Sequence, residues 1–145
     1  MSGREGLSLI VFSGDYDRVH YAFVIASSAA ATGRRVTMFF TMTGIKALFG
    51  PDSDNTPGWQ MLSCTDNSTT AGGWDDVYGR ANIAQMEELI KACAEFDVSF
   101  KVCEMGLKAE SIDMANLRKD LSINKGGMVS FLAEAEKSGR CILFI

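Results

Sequence analysis

The sequence predicts a three-layer α/β/α fold built around a mainly parallel five-stranded sheet, in a flavodoxin-like layout. Short runs of aliphatic, β-branched and aromatic residues alternate with longer segments whose apolar residues recur at helical spacing. The segment between the first two runs has the length of a helical crossover, which joins parallel strands. The length of 145 residues predicts a single domain, residues 1–145, with one irregular loop at about 50–79.

The amino-terminal segment predicts one strand and one helix. Leu7 to Phe12 is a short apolar run, which is typical of a buried strand. From Tyr16 to about Thr32 the apolar residues recur at helical spacing, with Asp15 as the expected cap and Gly33 as the expected end. The helix therefore leads from the first strand to a second one.

The second strand is followed by the one irregular stretch of the chain. Arg35 to Thr41 is rich in β-branched and aromatic residues, which predicts a strand, and residues 44–49 predict a short helix. Gly50 to Tyr78 is crowded with Pro, Asp, Asn, Ser, Thr and Gly, which predicts an irregular loop. Its large side chains, Trp59 and Trp74, indicate packing against a neighbouring subunit or the site, or else a mobile flap.

The next helix and strand lead to the first candidate site residue. Asn82 to Phe96 shows clear helical periodicity, and its apolar stripe includes Cys93, which is therefore expected in the core. Val98 to Val102 predicts a third strand that delivers Cys103 at its carboxyl end. The mixed pattern of residues 104–119 indicates a short helix.

The carboxyl-terminal segment completes the sheet. Asp120 to Ile123 predicts a brief fourth strand, and Asn124 to Gly127 a loop. Met128 to Ser138 predicts an amphipathic helix, and Arg140 to Ile145 a fifth strand that buries Cys141. The alternation of strands and helices then implies a sheet with helices on both faces.

The charge and composition exclude several classes of partner. The formal net charge of -4 gives no positive field for phosphates or anionic lipid, so we expect no nucleic-acid partner. No window approaches the roughly 20 apolar residues that a membrane-spanning helix needs, so we expect no membrane association. Residues 2–6 lack the order of a signal peptide, which favours a cytoplasmic protein.

The four cysteines predict free thiols rather than a metal site or disulfides. No two of Cys64, Cys93, Cys103 and Cys141 are closer than ten positions, so no Cys-x-x-Cys pair or zinc spacing occurs. No glycine-rich dinucleotide or nucleotide fingerprint is present, and His20 is the single histidine. We therefore expect no metal and no cofactor.

The candidate site lies at the carboxyl edge of the predicted sheet, where open parallel sheets bind their ligands. Cys103 carries the one nucleophile expected at this edge, and its backbone position favours a thiolate that is open to solvent. Lys101 and Lys108 add positive charge, whereas Glu104 opposes it. The other candidate lining residues are Ser13, Gly14, Asp15, Thr41, Met42, Glu104, Met105, Lys108, Gly126 and Gly127.

Three alternatives remain open at this site. Cys103 could be a half-buried structural cysteine. Cys64, in the irregular loop, could serve as a second thiol that resolves or receives a group held on Cys103. Gly126-Gly127 ahead of a helix could let backbone N–H groups approach an anion. After the first strand, Asp15 and Asp17 would repel a phosphate instead.

Several motifs resemble the DsrE/DsrF-like family, especially its DsrE2-type branch. The resemblance rests on Phe12-Ser13-Gly14-Asp15, on Val36 to Thr41 followed by Gly44, on Val102-Cys103-Glu104-Met105, and on Gly126 to Leu132. It implies a DsrEFH-like parallel five-stranded sheet, homo-oligomerisation and intracellular sulfur transfer through a cysteine persulfide. In that branch a cysteine followed two positions later by methionine is the carrier, which maps onto Cys103 and Met105.

The predicted function is that of an intracellular sulfur carrier or sulfurtransferase acting through a persulfide on Cys103. Its partners would be sulfur donor and acceptor proteins or small thiols. One alternative is a non-catalytic, oligomeric module that binds a small anion or nucleotide at Gly126-Gly127. Another is an oligomeric scaffold in which the loop from Trp59 to Trp74 forms the interface. The chain departs from the family pattern at Gly106-Leu107-Lys108, where a Ser-Met-Asp run is common.

Overall fold

The computed structural model, which describes residues 5–66, 68–139 and 141–145, shows a five-stranded sheet. Its strands lie in the order β4-β3-β2-β1-β5, and every neighbouring pair is parallel. This arrangement confirms the predicted fold class. The strands are β1 (Leu7–Val11), β2 (Val36–Phe40), β3 (Ser99–Cys103), β4 (Ile123–Gly126) and β5 (Cys141–Phe144).

The α-helices of the described ranges connect these strands. None of them is long and apolar enough to cross a membrane. Two 3-10 segments, Met42–Leu48 and Gly58–Met61, follow β2, and a third, Met114–Asn116, precedes β4. The helices are α1 (Tyr16–Ala31), α2 (Ala71–Arg80), α3 (Met86–Glu95), α4 (Glu104–Ala109) and α5 (Met128–Lys137).

The two faces of the sheet are covered unequally. Alternate strand residues such as Leu9 and Val11 join a large buried cluster together with α1 and α3. The residue between them, Ile10, belongs to a small second cluster with Phe39 and Phe131, where α5 covers the sheet. Because successive side chains of a strand point to opposite faces, α5 lies on the face opposite α1 and α3.

The strand order explains this division. From β1 to β4 each new strand adds on the same side, whereas β5 returns to the free side of β1. Right-handed crossovers in opposite directions place their helices on opposite faces. The strand order therefore reverses at β1, between its neighbours β2 and β5.

The helix α1 follows its predicted bounds closely. Val19, Phe23 and Ala26 are fully buried, and the Phe23 ring lies 5.8 Å from that of Phe40 in β2. Full burial of a Phe side chain stabilises a fold by about 1.5–3 kcal/mol. Gly33 follows the helix with a φ of 89°, which confirms its role as the end of the helix. Asp15 is the N-cap residue, but its side chain makes no capping hydrogen bond.

The prediction of an irregular loop at about 50–79 is wrong for the carboxyl end of that range, because α2 occupies residues 71–80. Thr70 caps this helix by accepting a hydrogen bond from the Gly73 amide. The rest of the loop packs on its own chain: Trp59 is 4% exposed, and its indole N–H donates to Glu87. These contacts do not support a mobile flap or a subunit interface at Trp59.

Two predictions in the carboxyl-terminal segment are also wrong. The fourth strand is Ile123–Gly126 rather than Asp120 to Ile123, and Asp120 instead accepts two hydrogen bonds from Arg118. Cys141 is exposed rather than buried. It lies in β5, the edge strand of the sheet beside β1.

Candidate functional site

The sheet brings most predicted site residues to one edge, as expected for parallel strands. Ser13 and Gly14 follow β1, Thr41 and Met42 follow β2, and Cys103 ends β3. Gly126 ends β4 and pairs in register with Cys103. Sharing an edge does not place these residues in one pocket, because their side chains divide between the two faces.

Cys103 lies beneath an apolar cover. It is the last residue of β3 and the N-cap residue of α4, and its side chain joins the cluster of Phe39 and Phe131. Ile10 and Met128 pack against the same cluster. Cys103 is 2% exposed, so the expectation of a thiol open to solvent is wrong. The thiol is sealed because α5 lies over this end of β3.

The charges predicted to surround Cys103 are arranged differently from the expectation. The Lys101 ammonium lies on the same face but is 2.6 Å from a Glu134 carboxylate oxygen of α5. This ion pair offsets the positive charge near the thiol. Glu104, Met105 and Lys108 lie in α4 and are exposed, outside the buried cluster.

A glycine that sequence reasoning did not assign to the site fixes the position of α4. A Cβ atom at Gly106 would lie 2.7 Å from the backbone nitrogen of Met42 and 3.0 Å from the Thr41 hydroxyl oxygen. Only glycine lets α4 approach the end of β2 this closely. Met42 itself has a φ of 50°, which is uncommon for a residue with a side chain. The departure from the family motif at Gly106 was the signal for this contact.

Gly126 and Gly127 do not form the predicted loop. Gly126 is a strand residue, and Gly127 is the N-cap residue of α5. A Cβ atom at either position would meet nothing within 4 Å. The pair is therefore not needed for close packing within the chain.

Cys64 lies on the other side of the sheet from Cys103. It is half-buried and packs against the large cluster, whereas Cys103 belongs to the small one. Burial, followed by the charges of Asp17, Asp66 and Asp15, raises the pKa of the Cys64 thiol. The structure does not bring the two thiols together, and the surroundings of Cys64 favour the protonated form, which is the weaker nucleophile.

Sequence comparisons identify relatives along nearly the whole chain. Residues 4–75 match the model of the DsrE/DsrF/DrsH-like family. The uncharacterized protein YrkE of Bacillus subtilis is 27% identical over an alignment of 157 positions, gaps included, that covers 95% of each chain. The sulfur carrier protein DsrE2 of Allochromatium vinosum is 28% identical over an alignment of 169 positions, gaps included, that covers 96% of this chain and 98% of that protein.

Solved structures share the fold at low sequence identity. A protein of unknown function from Methanobacterium thermoautotrophicum, MTH1491, superposes on this chain with a TM-score of 0.63 at 12% identity. The superposition covers 98% of this chain and 100% of MTH1491. The ychN protein of E. coli superposes with a TM-score of 0.58 at 9% identity, with the same coverage of both chains. The sequence match and the two relatives support the DsrE/DsrF/DrsH-like family for this chain, and the solved structures show the shared fold.

Proposed function

We propose that the chain is a sulfur carrier that holds sulfane sulfur as a persulfide on Cys103. The proposal rests on one observation above all: a cysteine ends an internal strand at the ligand-binding edge of the sheet, inside its own apolar cluster. A relative that aligns over 96% of this chain and 98% of its own length is named as a sulfur carrier. The resemblance of Cys103 and Met105 to the family motif implies the carrier role for Cys103.

The chemistry is thiol–persulfide exchange. The Cys103 thiolate attacks the outer sulfur of a donor persulfide, a new S–S bond forms at Cys103, and the S–S bond of the donor breaks. The donor leaves as a thiolate, so no external oxidant or reductant is consumed. An acceptor thiolate removes the sulfur by the same reaction, which regenerates the Cys103 thiolate. Donor and acceptor proteins or small thiols would be the partners, in a reducing compartment such as the cytoplasm.

The apolar cover gives the carrier a means of protecting its cargo. Phe131 and Met128 of α5 keep water and small thiols away from Cys103 and so would prevent premature loss of the sulfur. Loading requires this cover to move. In α5 only Phe131 and Ala135 are buried, so the helix is held by few apolar contacts and can open at a lower free energy than the opposite face.

Intact mass spectrometry tests the carrier role. We expect the reduced protein, incubated with a persulfide donor, to gain the mass of one sulfur atom, and the Cys103→Ser variant to lose at least about nine-tenths of this gain. Cys141→Ser is the matched control, because Cys141 is also a free thiol but is exposed, outside the cluster of Cys103, and its loss should leave the sulfur loading mapped to Cys103 unchanged. Equal loading of the wild type and Cys103→Ser, with the sulfur mapped by peptide analysis to another thiol, would refute the assignment.

We further propose that a second copy of the chain covers the thinly protected face of the sheet. Parallel sheets are normally covered on both faces, whereas here α5 is the one helix of the described residues that covers the face of Phe39 and Cys103. The ring centroids of Phe12 and Phe144 lie 5.5 Å apart on this surface with the rings tilted by 34°, although both side chains are exposed. The exposed apolar side chains on and beside this face are Phe12, Val129, Leu132, Ile142 and Phe144.

The oligomeric state tests this surface. We expect Phe144→Glu to weaken self-association at least about tenfold, because a charge at the centre of an apolar interface loses its hydration. Phe96→Glu is the matched control, since Phe96 is also an exposed phenylalanine but follows α3 on the opposite face. Native mass spectrometry and sedimentation report the result. A monomeric wild type, or equal dissociation by both variants, would contradict the proposal.

A further inference from the structure

A cavity of about 190 Å³ opens beside Cys64, on the face of the sheet opposite Cys103. Aromatic side chains from two helices line it: Tyr16 from α1, and Trp74 and Tyr78 from α2. The Asp17 and Asp66 carboxylates complete the wall beside the thiol. The cavity therefore combines π-electron faces with negative charge.

The cavity lies where the fold favours a ligand. Its loop wall is tied to the end of β1, because the Ser63 amide donates to the Gly14 carbonyl and the Tyr16 amide donates to the Ser63 carbonyl. The strand order reverses at β1, and open α/β sheets bind ligands at the carboxyl end of such a strand. Topology and cavity thus point to the same place, independently of Cys103.

The aromatic wall is held in place before any ligand arrives. Tyr16 is 1% exposed, its hydroxyl donates to the Asp75 carboxylate at 2.5 Å, and its ring lies 5.8 Å from that of Tyr78. The Trp74 ring lies 6.2 Å from the Tyr78 ring. A wall that is already ordered costs a ligand little conformational entropy.

The electrostatic potential in the cavity is negative. Among the described residues that line it, none is Lys, Arg or His. Burial and then the charges of Asp17, Asp66 and Asp15 raise the pKa of Cys64. Burial and the charge of Asp17 likewise raise the pKa of Tyr78, so both groups disfavour a further negative charge. A positively charged ligand would relieve this repulsion, whereas a phosphate or carboxylate would increase it.

We propose that this cavity binds a small alkylammonium ion, with its methyl groups against the Trp74 and Tyr78 rings and its charge balanced by Asp17 and Asp66. Aromatic faces attract onium groups through their quadrupole, and the attraction strengthens as the site excludes water. The volume is below the roughly 300 Å³ at which pockets for drug-sized ligands begin, which favours a compact ion.

A metal ion fits the cavity less well than an organic cation. No group of three or more His, Cys, Asp or Glu side chains in the described ranges is arranged to hold a metal. The Asp66 carboxylate already accepts hydrogen bonds from Ser68 and Thr69. It can supply negative charge to a diffuse onium ion, but it has few lone pairs left for direct coordination.

Choline and its neutral isostere, in which carbon replaces the nitrogen, test the proposal on the full chain. We expect choline to change the fluorescence of Trp74 and to slow alkylation of Cys64 at least about fivefold, and the isostere to do neither at equal concentration. Alkylation of exposed Cys141 serves as the internal reference, because its rate should not change. Equal effects of choline and the isostere, or none from choline up to about 10 mM, would overturn the proposal.

A matched pair of variants separates local charge from net charge. Asp17 is exposed in the first turn of α1, so Asp17→Asn should fold and weaken choline binding about three- to tenfold. Glu136→Gln removes the same charge from the exposed surface of α5, on the other face, and should leave the affinity unchanged. Unchanged affinity in Asp17→Asn, or an equal loss in Glu136→Gln, would contradict the assigned site. Loss of sulfur loading at Cys103 would not affect this result.

Discussion

Replacing Asp75 by alanine is expected to lower the free energy of unfolding by about 3 kcal/mol. Asp75 is 7% exposed in α2, and one of its oxygens accepts hydrogen bonds from the Tyr16 hydroxyl at 2.5 Å and the Met86 amide at 2.8 Å. This carboxylate therefore joins α1, α2 and the start of α3. Alanine would leave two donors in the interior without an acceptor, each at a cost of about 1–3 kcal/mol.

Urea unfolding of matched variants measures this contribution. Asp75→Asn keeps one acceptor of the same shape and should lose roughly half as much stability as the alanine variant. Asp76→Ala, at the exposed neighbouring position of α2, should change the free energy of unfolding by less than about 0.5 kcal/mol. A loss below about 1 kcal/mol in Asp75→Ala would show that the helices hold together without this carboxylate.

The structure confirms the elements with strong local patterns. Three elements carry their signal within their own residues. These signals are the apolar run of β1, the helical stripe of α1, and the β-branched and aromatic run of β2. The position of Cys103 at the carboxyl end of β3 follows from similar local reasoning, because apolar and polar residues alternate from Val98 to Val102, just before it. Local pattern was sufficient to place this cysteine at an edge of the sheet.

Elements with weak local signals were missed or shifted. Gly72 and Gly73 lower the helix propensity of α2, so that only its Thr70 cap and its packing reveal it. In β4 the residues Asn124, Lys125 and Gly126 disfavour a strand, yet pairing with β3 makes them one. Tertiary contacts decide both cases, and a single sequence does not display them.

The properties of the candidate sites depend on contacts that are distant along the chain. Cys103 is covered by Phe131 of α5, and its burial therefore depends on the path of the chain after β4. The cavity beside Cys64 brings together Tyr16, Cys64 and Trp74 from two helices and a loop. Spacing along the sequence indicated which residues could react, but it did not indicate which of them face solvent.

Replacing Phe131 by alanine is expected to remove the cover of Cys103 and to lower the free energy of unfolding by about 3–4 kcal/mol. Phe131 is 3% exposed, and its ring lies 4.8 Å from that of Phe39 beside the thiol. Since few other side chains of α5 are buried, the cavity left by the ring would open toward Cys103. Alkylation of Cys103 in the folded protein should then accelerate at least about tenfold.

A control on the opposite face distinguishes local opening from global unfolding. Phe100 is also 3% exposed and lies in β3, but it packs in the large cluster. Phe100→Leu and the milder variant Phe131→Leu should both destabilise the fold by roughly 1 kcal/mol, yet only the second reduces the cover over the thiol. We therefore expect Phe131→Leu alone to speed both the alkylation and the sulfur loading of Cys103, as followed by peptide mass spectrometry. Equal acceleration in both variants would mean that reagents reach Cys103 by unfolding of the whole domain, and α5 would then not act as the gate.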